Sequence, residues 1–447
     1  MQVEVSLKIE IAATVSISQM EEQIQEAGQQ AMREALKQGI RQWEDQNNSC
    51  PYCGEKQRRL EGTVRRAMAA TFGRVEVARR RFRCLLCWRR FCPANALFAD
   101  LKGGTISQPL QEAAVLAGSS WPYRVASQLL KKLSGACISA EEIRLLTNEQ
   151  GKQRAAHQQA EAERVCSSRV AGVPPAEKAE QPILVGLDGG WVCSREQRGG
   201  MEGKVAVICS HVEELPMPTS STTFSWSERT GPRQPPKQRH RLAQRRYVAT
   251  FAPSQQLGLQ AEAAARSLNE DPSRPVVVVA DGANWIKTEQ ERHFPQATCI
   301  LDWAHLWREI SAAIRAAGRA KHLSDREVQY QLFFHRSWLW QGGVDQAVQG
   351  LHRLATGLEA EPLKQVQQAI GYLENQRGWI GSYEQWRQLG YPVGSGMIER
   401  TVALVINRRM KKRGMRWCRP NATAVVALRT DLLNEDWVTP QRLRAFP

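Results

Sequence analysis

At the start of the chain Val3, Val5, Leu7, Ile9 and Ile11 alternate with mostly polar residues, which predicts one half-buried strand. From Ser18 to about Asp45 the apolar positions Met20, Ile24, Ala27, Met32, Leu36, Ile40 and Trp43 recur at helical spacing and predict an amphipathic helix. Val75, Val77 and Phe82 predict a strand within residues 73–83. Three helices are expected over residues 105–165: Pro109 to Ala117, Pro122 to Leu133, and Ser139 to about Glu163. The third opens with the capping box Ser139-Ala-Glu-Glu142. Leu129, Leu130, Leu133, Ile143, Leu145 and Leu146 would supply a small core there. Short helices joined by Gly-containing turns suit a helix-turn-helix module or a simple helical linker domain equally well.

Residues 166–182 lack periodicity and are rich in small residues and Pro, so a linker is placed there. Beyond it the texture changes. Ile183 to Asp188, Lys204 to Cys209 and Tyr247 to Phe251 read as strands, with a long basic, Pro-rich loop at 213–246 before the third. A helix from Ser254 to Asn269, a buried strand from Pro275 to Asp281, a helix from Gly282 to Phe294, a strand from Ala297 to Asp302 and a helix from Ala304 to Ala317 follow. Three meandering strands followed by right-handed crossovers predict a mixed sheet with helices on both faces, the element order of a ribonuclease H-like fold.

The chain has 447 residues and a net charge of +16, room for two to four domains at roughly 100–200 residues each. No apolar run approaches the ~20 residues of a membrane span, the best being Val276 to Ala280, and no basic segment with an apolar core opens the sequence. A soluble cytoplasmic protein with no membrane partner is the expectation. The basic residues cluster: 12 against two acids between Lys56 and Arg90, seven with no acid from Arg229 to Arg246, and eight with no acid from Arg400 to Arg419. Repeated basic runs are the usual footprint of nucleic-acid binding, because each neutralised phosphate releases counterions. Arg79, Arg80 and Arg81, and Arg408, Arg409, Lys411, Lys412, Arg413 and Arg416, are the candidate DNA contacts. Trp417 could stack on a base or simply pack at a helix end.

Four of the 11 cysteines form two C-x-x-C pairs, Cys50/Cys53 and Cys84/Cys87, separated by a 30-residue spacer. Four thiolates complete the tetrahedral shell that Zn2+ prefers, and Gly54 suits the sharp turn of a knuckle. One structural Zn2+ in a zinc ribbon is expected. A four-cysteine site has no open position, so it does no chemistry.

Asp188 and Asp281 each end an expected strand and are followed by glycine. Ligands bind outside the carboxyl ends of strands in open α/β sheets, and these two strands are expected to be neighbours. Glu359, Glu374, Glu384 and Glu399 are candidates for a third acid. Glu399 is chosen because Gly394-Ser395-Gly396 makes a turn before a helix from Met397 to about Lys412, with Val402, Ala403 and Ile406 on its docking side. Asp302 competes with it as third ligand. Two Mg2+ or Mn2+ ions about 3.5–4 Å apart would neutralise the three carboxylates and clamp a scissile phosphate. His305, three residues after Asp302, is either a hydrogen-bonded structural residue or support for the site.

Leu187-Asp188-Gly-Gly-Trp, Ala280-Asp281-Gly-Ala-Asn-Trp285, Leu301-Asp302-Trp-Ala-His305, Gly394-Ser-Gly-Met-Ile-Glu399 and Lys412-Arg-Gly-Met-Arg-Trp417 resemble the signature blocks of DDE transposases of the ISKra insertion-sequence family, bacterial relatives of the Mutator-like transposases. The resemblance covers roughly residues 183–430, and the Cys-Pro-x-Cys-Gly ribbon also fits it. It implies Asp188, Asp281 and Glu399 as a metal-binding catalytic triad, with His305 in the Asp-x-x-His motif that follows. It also implies a helical insertion among the 117 residues between Asp281 and Glu399. Helical stretches are expected at Asp325–Trp340, Val344–Gly357 and Pro362–Asn375, with Trp338, Trp340, Trp379 and Trp386 as core. The expected plan is a strand, helix and ribbon at 1–100, a helical DNA-binding-like region at 101–165, the linker, and an RNase H-like domain in two parts, 183–317 and 392–447, around an insertion at 318–391. The implied activity is end cleavage and strand transfer on double-stranded DNA, with recognition of terminal inverted repeats by a homodimer or higher oligomer. An RNase H-like nuclease that cuts without joining, or a non-catalytic DNA-binding descendant, are the rival readings.

Overall fold

The computed structural model describes residues 2–11, 15–99, 101, 105–167, 182–215, 239–268 and 274–437. Most of the expected linker, the middle of the basic loop with part of its Arg229–Arg246 run, and residues 438–447 lie outside them. The chain is a mixed α/β protein whose described residues divide into two compact units, Met1–Gly151 and Lys152–Trp437. No helix among the described residues is long and apolar enough to cross a membrane.

The alternating segment at the start of the first unit is not a strand: residues 2–11 have no regular structure. Alternation marks one face to bury, but a strand also needs a neighbour for its backbone groups. Helix α1 (Ile17–Gln46) follows, its first turn closed by the Ser16/Gln19 capping box. Strands β1 (Arg58–Ala70), β2 (Gly73–Cys84) and β3 (Arg90–Phe91) form an antiparallel sheet in that order. Val75 and Val77 of β2 join Ile40 of α1, Met68, Ala94 and Phe98 in one buried cluster. Helices α2 (Gln108–Ser120), α3 (Tyr123–Ser134) and α4 (Ala140–Ser167) come next, α4 passing into the second unit after Gly151. The small core differs from expectation: Leu133 and Leu145 are exposed, while Leu110, Ala114, Ala126, Ile138, Ile143 and Leu146 are buried. Gly118 lets α2 lie directly against Ile143 and Thr147 of α4.

The second unit is built on a five-stranded sheet of β4 (Ile183–Cys193), β5 (Gly200–Cys209), β8 (Arg246–Thr250), β9 (Val276–Ala280) and β10 (Thr298–Leu301), in the order β10-β9-β4-β5-β8. A separate hairpin, β6 (His211–Leu215) and β7 (Arg239–Ala243), extends from β5 into what the sequence reads as loop. The β4, β5 and β8 strands run antiparallel, whereas β4, β9 and β10 run parallel, joined through α5 (Ser254–Leu268) and α6 (Asn284–His293). Alternate residues of β4 and β5 serve two cores. Val185, Leu187, Ala206 and Ile208 join Leu257 and Ala261 of α5. Val205 and Val207 face the opposite way, into a cluster with Ile398, Val402, Val405, Ile406 and Val425.

After β10 come α7 (Trp303–Ala320), α8 (Asp325–Trp340), α9 (Val344–Ala355), α10 (Ala360–Asn375) and α11 (Tyr383–Gln388). This helical segment shares the first core through Leu339, Leu351, Val366 and Leu373. Trp379 is buried, and Trp340 and Trp386 are half-buried against the same core. Tyr383 donates from its hydroxyl to Leu301 O at 2.9 Å, tying the segment to the end of β10. The last stretch is α12 (Gly396–Val402), a π turn at Ala403–Asn407, α13 (Arg408–Met410) and α14 (Arg419–Leu433).

Candidate active site

Asp188 does not end its strand, since β4 continues to Cys193 in register with β5. It is the parallel neighbour that stops. Leu187 pairs with Ala280, the last residue of β9, so Asp188 and Asp281 are the next residues along two adjacent strands. Asp281 Oδ1 accepts from Ala283 N at 3.0 Å, a tight turn continued by Gly282 at φ +80°. A side chain at 282 would be strained in that left-handed backbone and would strike Gln376, whose Nε2 donates to Gly282 O at 2.8 Å.

The third acid arrives by packing. Gly186, Asp188 and Gly190 share one face of β4, because side chains alternate along a strand. The two glycines leave a groove for α12: a Cβ at Gly186 would lie 3.1 Å from Ile398, and one at Gly190 would lie 2.8 Å from Val402 and 3.0 Å from Ile406. Asp188 sits between these contacts, and Glu399 follows Ile398 on the docked helix. Burial pushes the Asp188 carboxyl up to about 6, against the pull of a hydrogen bond from Gly189 N, and the Asp281 and Glu399 charges add to the rise. His305 lies near enough to oppose it. Asp188, Asp281, Glu399 and His305 thus act electrostatically on one point. The three acids do not close to ligand spacing: among the described residues, the four cysteines form the sole group of three or more metal-ligating side chains whose donor atoms all lie within 4.8 Å.

Asp302 is held differently from Asp188, Asp281 and Glu399. It is buried, and it caps α7 by accepting from His305 N at 2.6 Å. Its other oxygen accepts from Ser395 N. Burial alone would raise this carboxyl, but the hydrogen bonds from Ser395 and His305 hold it below the ordinary range. With both oxygens engaged, Asp302 positions its neighbours: it holds His305 Nδ1 at 3.0 Å and fixes the turn before α12. Ser395 then donates from Oγ to Glu399 Oε1 at 2.8 Å. Sequence reasoning treats Ser395 as part of a permissive turn; its spacing of four from Glu399 is the signal that marks this second role.

A cleft of about 590 Å³ opens beside Asp281 and His305 between α7 and α10, lined also by Arg308, Gln365, Gln368 and Tyr372. Burial pushes the Tyr372 phenol upward, with the Glu309 and Asp281 charges adding to the rise, so it stays a neutral hydrogen-bonding group.

The basic run that follows α12 divides in two. Arg408, Lys411, Lys412, Arg413 and Arg416 are exposed. Arg409 and Trp417 are buried against each other, the guanidinium 5.1 Å from the ring centre, and Trp417 Nε1 donates to Met410 O at 3.1 Å. Trp417 is therefore a packing residue, the second of the two roles open to it, and Arg409 is not available as a phosphate contact. Behind them Arg429, which the sequence does not single out, donates to the carbonyls of Leu404 and Val405 in the π turn.

The four cysteines form a closed cluster. Cys50 and Cys87 Sγ lie 3.6 Å apart and Cys53 and Cys84 Sγ 3.5 Å, close to the edge of about 3.8 Å of a tetrahedron with Zn–S bonds of about 2.3 Å. Backbone N–H groups of Cys87 and Leu86 pull the Cys84 thiol down to about 7, against the effect of burial. The donor set fits a structural metal such as zinc. On β2 the expected DNA-contacting arginines are largely committed inside the fold. Arg80 binds the fully buried Glu44 at 2.9 Å and Asp45 at 2.6 Å, locking α1 to the sheet. Arg79 donates to Asn95, and Arg81 is half-buried.

No protein-family model and no curated protein matches this chain, so the grounds for a function are the sequence blocks and the geometry above.

Proposed function

We propose that the chain is a DDE-type transposase of the ISKra insertion-sequence family, cleaving and joining DNA at an acidic site of Asp188, Asp281 and Glu399. The observation that carries the reading is the approach of three acids, far apart in sequence, to the point where β9 ends beside the middle of β4, where burial and then the charges of the other two raise Asp188 to about 6. An antiparallel meander of three strands followed by two parallel ones supports an RNase H-like catalytic domain. On this reading α8 to α11 are a helical insertion between Asp281 and Glu399.

A set of hard carboxylate oxygens short of countercharge suits Mg2+ or Mn2+. Asp188, Asp281 and Glu399 would hold the ions, which when bound would supply charge neutralisation at the phosphate and a more acidic water or 3′-hydroxyl. The chain's own residues orient the reaction. Ser395 fixes one Glu399 oxygen, Asp302 fixes the His305 ring so that Nε2 remains for the cleft, and Arg308 offers charge to a phosphate there. The exposed Arg408, Lys411, Lys412, Arg413 and Arg416 would track the backbone of double-stranded DNA.

The test uses the DNA on either side of the coding region, where this reading expects imperfect inverted repeats. Asp188→Ala or Asp281→Ala should abolish end cleavage and leave end binding intact; retained cleavage removes the proposal. Pre-cut ends then separate a transposase, which joins them to target DNA, from a nuclease that only cuts.

A further inference from the structure

The two zinc knuckles are built alike, with one exception. In the first, Cys50 N donates to Glu55 O at 2.8 Å; in the second, Cys84 N donates to Arg89 O at 3.0 Å, the same span of five residues. The residue after the second cysteine is left-handed in both, Gly54 at φ +76° and Trp88 at φ +59°. Gly54 is what such a backbone favours, and a bulky aromatic residue there is an outlier. Packing does not account for Trp88, which is 66% exposed and belongs to no buried cluster among the described residues. Leu86 and Tyr52 beside it are also exposed, and Arg89 lies over the Tyr52 ring at 5.0 Å.

Strain without a packing return points to a use outside the fold. Charge selects the partner. Lys56, Arg59 and Arg89 are exposed around the tip, while the nearby acids are engaged: Glu55 accepts from the backbone of Lys56 and Gln57, and Glu61 pairs with Arg83 and Arg90. An apolar point ringed by cations matches the arrangement by which proteins insert a wedge at a base step while holding the flanking phosphates. We infer that Trp88, with Leu86, is a DNA wedge at the tip of the ribbon, and that Lys56 and Arg89 grip the phosphates on either side. This rests on the reading of the chain as a DNA-binding protein, although not on its catalysis.

The experiment measures binding and bending of a mixed-sequence DNA duplex, without divalent metal, by full-length protein carrying its zinc. Trp88→Gly should keep its zinc and melt no lower than the parent, yet bind roughly tenfold more weakly and lose a DNA kink of about 20–90°. The salt dependence of binding should be unchanged, because no phosphate contact is removed, whereas Arg89→Gln should flatten it. Leu60→Ala, at another exposed apolar position of the ribbon, should leave binding and bending unaltered. Equal affinity and bending for Trp88→Gly and parent would overturn the wedge alone. Changed self-association with unchanged DNA binding would also overturn it, assigning the tip to a protein contact. Failure of the parent itself to bind duplex DNA would remove the underlying reading as well.

Discussion

A single methyl group added at Gly190 tests whether helix docking on β4 is what brings Glu399 to the site. The Cβ of Gly190→Ala would stand 2.8 Å from Val402 Cγ1 and 3.0 Å from Ile406 Cδ1. Carbon atoms rest at about 3.5–4.0 Å, so α12 and the π turn must withdraw by on the order of 1 Å. The Ile406 methyl can swing aside, but the Val402 methyl sits directly on a helix Cβ with one strongly preferred χ1, so it moves away only into an unfavourable rotamer or with its backbone. Overpacking of this kind destabilises by about 1–3 kcal/mol. The effect on chemistry should be larger, because a displacement of about 1 Å of a catalytic group can cost about 100-fold in rate. The assay is single-turnover, metal-dependent cleavage of end DNA, run beside thermal melting and end binding. The expected result is a modest loss of melting temperature, unchanged binding and about 100-fold slower cleavage. Adding Val402→Ala should relieve the contact and recover part of both losses, a coupling that independent sites would not show. If stability falls while cleavage stays within a few-fold of the parent, Glu399 does not act where the geometry places it.

Asp188→Asn carries a pH signature. The folded protein binds the Asp188 proton up to about pH 6, above the ordinary 3.8, so the penalty is absent below about pH 4, grows between about pH 4 and 6, and is complete above that. The shift is worth about 3 kcal/mol in a dry site, and partial exposure reduces it to about 1–2 kcal/mol; Asp188→Asn should therefore raise the melting temperature of metal-free protein at pH 7.5 while abolishing cleavage, and no rise would argue against crowded acids. Asp302→Ala removes the α7 cap and the anchor of the 395 turn, so differential scanning calorimetry should show a loss of about 2–3 kcal/mol, with cleavage not rescued by excess Mg2+. Gly282→Ala meets both a positive φ and Gln376, and should lower urea stability by at least about 2 kcal/mol. If the four cysteines hold one structural zinc, a strong chelator should remove one equivalent of metal by elemental analysis and melt β1 to β3, with Zn2+ but not Mg2+ restoring the parent and neither restoring Cys84→Ser.

Much of the architecture is legible because it follows from period. The buried run Val276 to Ala280, the helical spacing of Leu257, Ala261 and Ala265, and the paired cysteines each carry a signal contained within a few residues. The segment at Val3 to Ile11 misleads for the complementary reason: alternation does not reveal whether a partner strand exists. Asp188 and Asp281 are visible as acids beside glycine, yet the strand end that matters belongs to β9 alone, a fact of pairing. The division of labour between Asp302 and Glu399 cannot be read from spacing, since it depends on Ser395 N reaching one Asp302 oxygen across 93 residues. Arg409 and Trp417 show the same limit on the basic run. Composition counts their charge and aromaticity, but the packing decides that both go inside: Trp417, beyond the end of α13, bridges to Ser194 at the end of β4 and covers the Arg409 guanidinium.

The gathering of acids is sustained by the helix that delivers the last of them. Two carboxylates a few ångströms apart at an effective dielectric of about 20 repel by a few kcal/mol at most. Against that, Ile398 and Val402 of α12 and Val405 and Ile406 of the π turn that continues it are all buried, and each large apolar side chain taken from water contributes about 1.5–3 kcal/mol. The π turn adds no deficit, because Arg429 satisfies the carbonyls of Leu404 and Val405 that it offers. Packing therefore outweighs repulsion, and α12 stays on β4 even with the Asp188 carboxyl raised. The unfavourable term is left at the acids themselves, where a divalent cation could remove it. On the proposed reading a bound ion would relieve repulsion already built into the fold, and it would have to draw the three carboxylates in to ligand spacing as it binds.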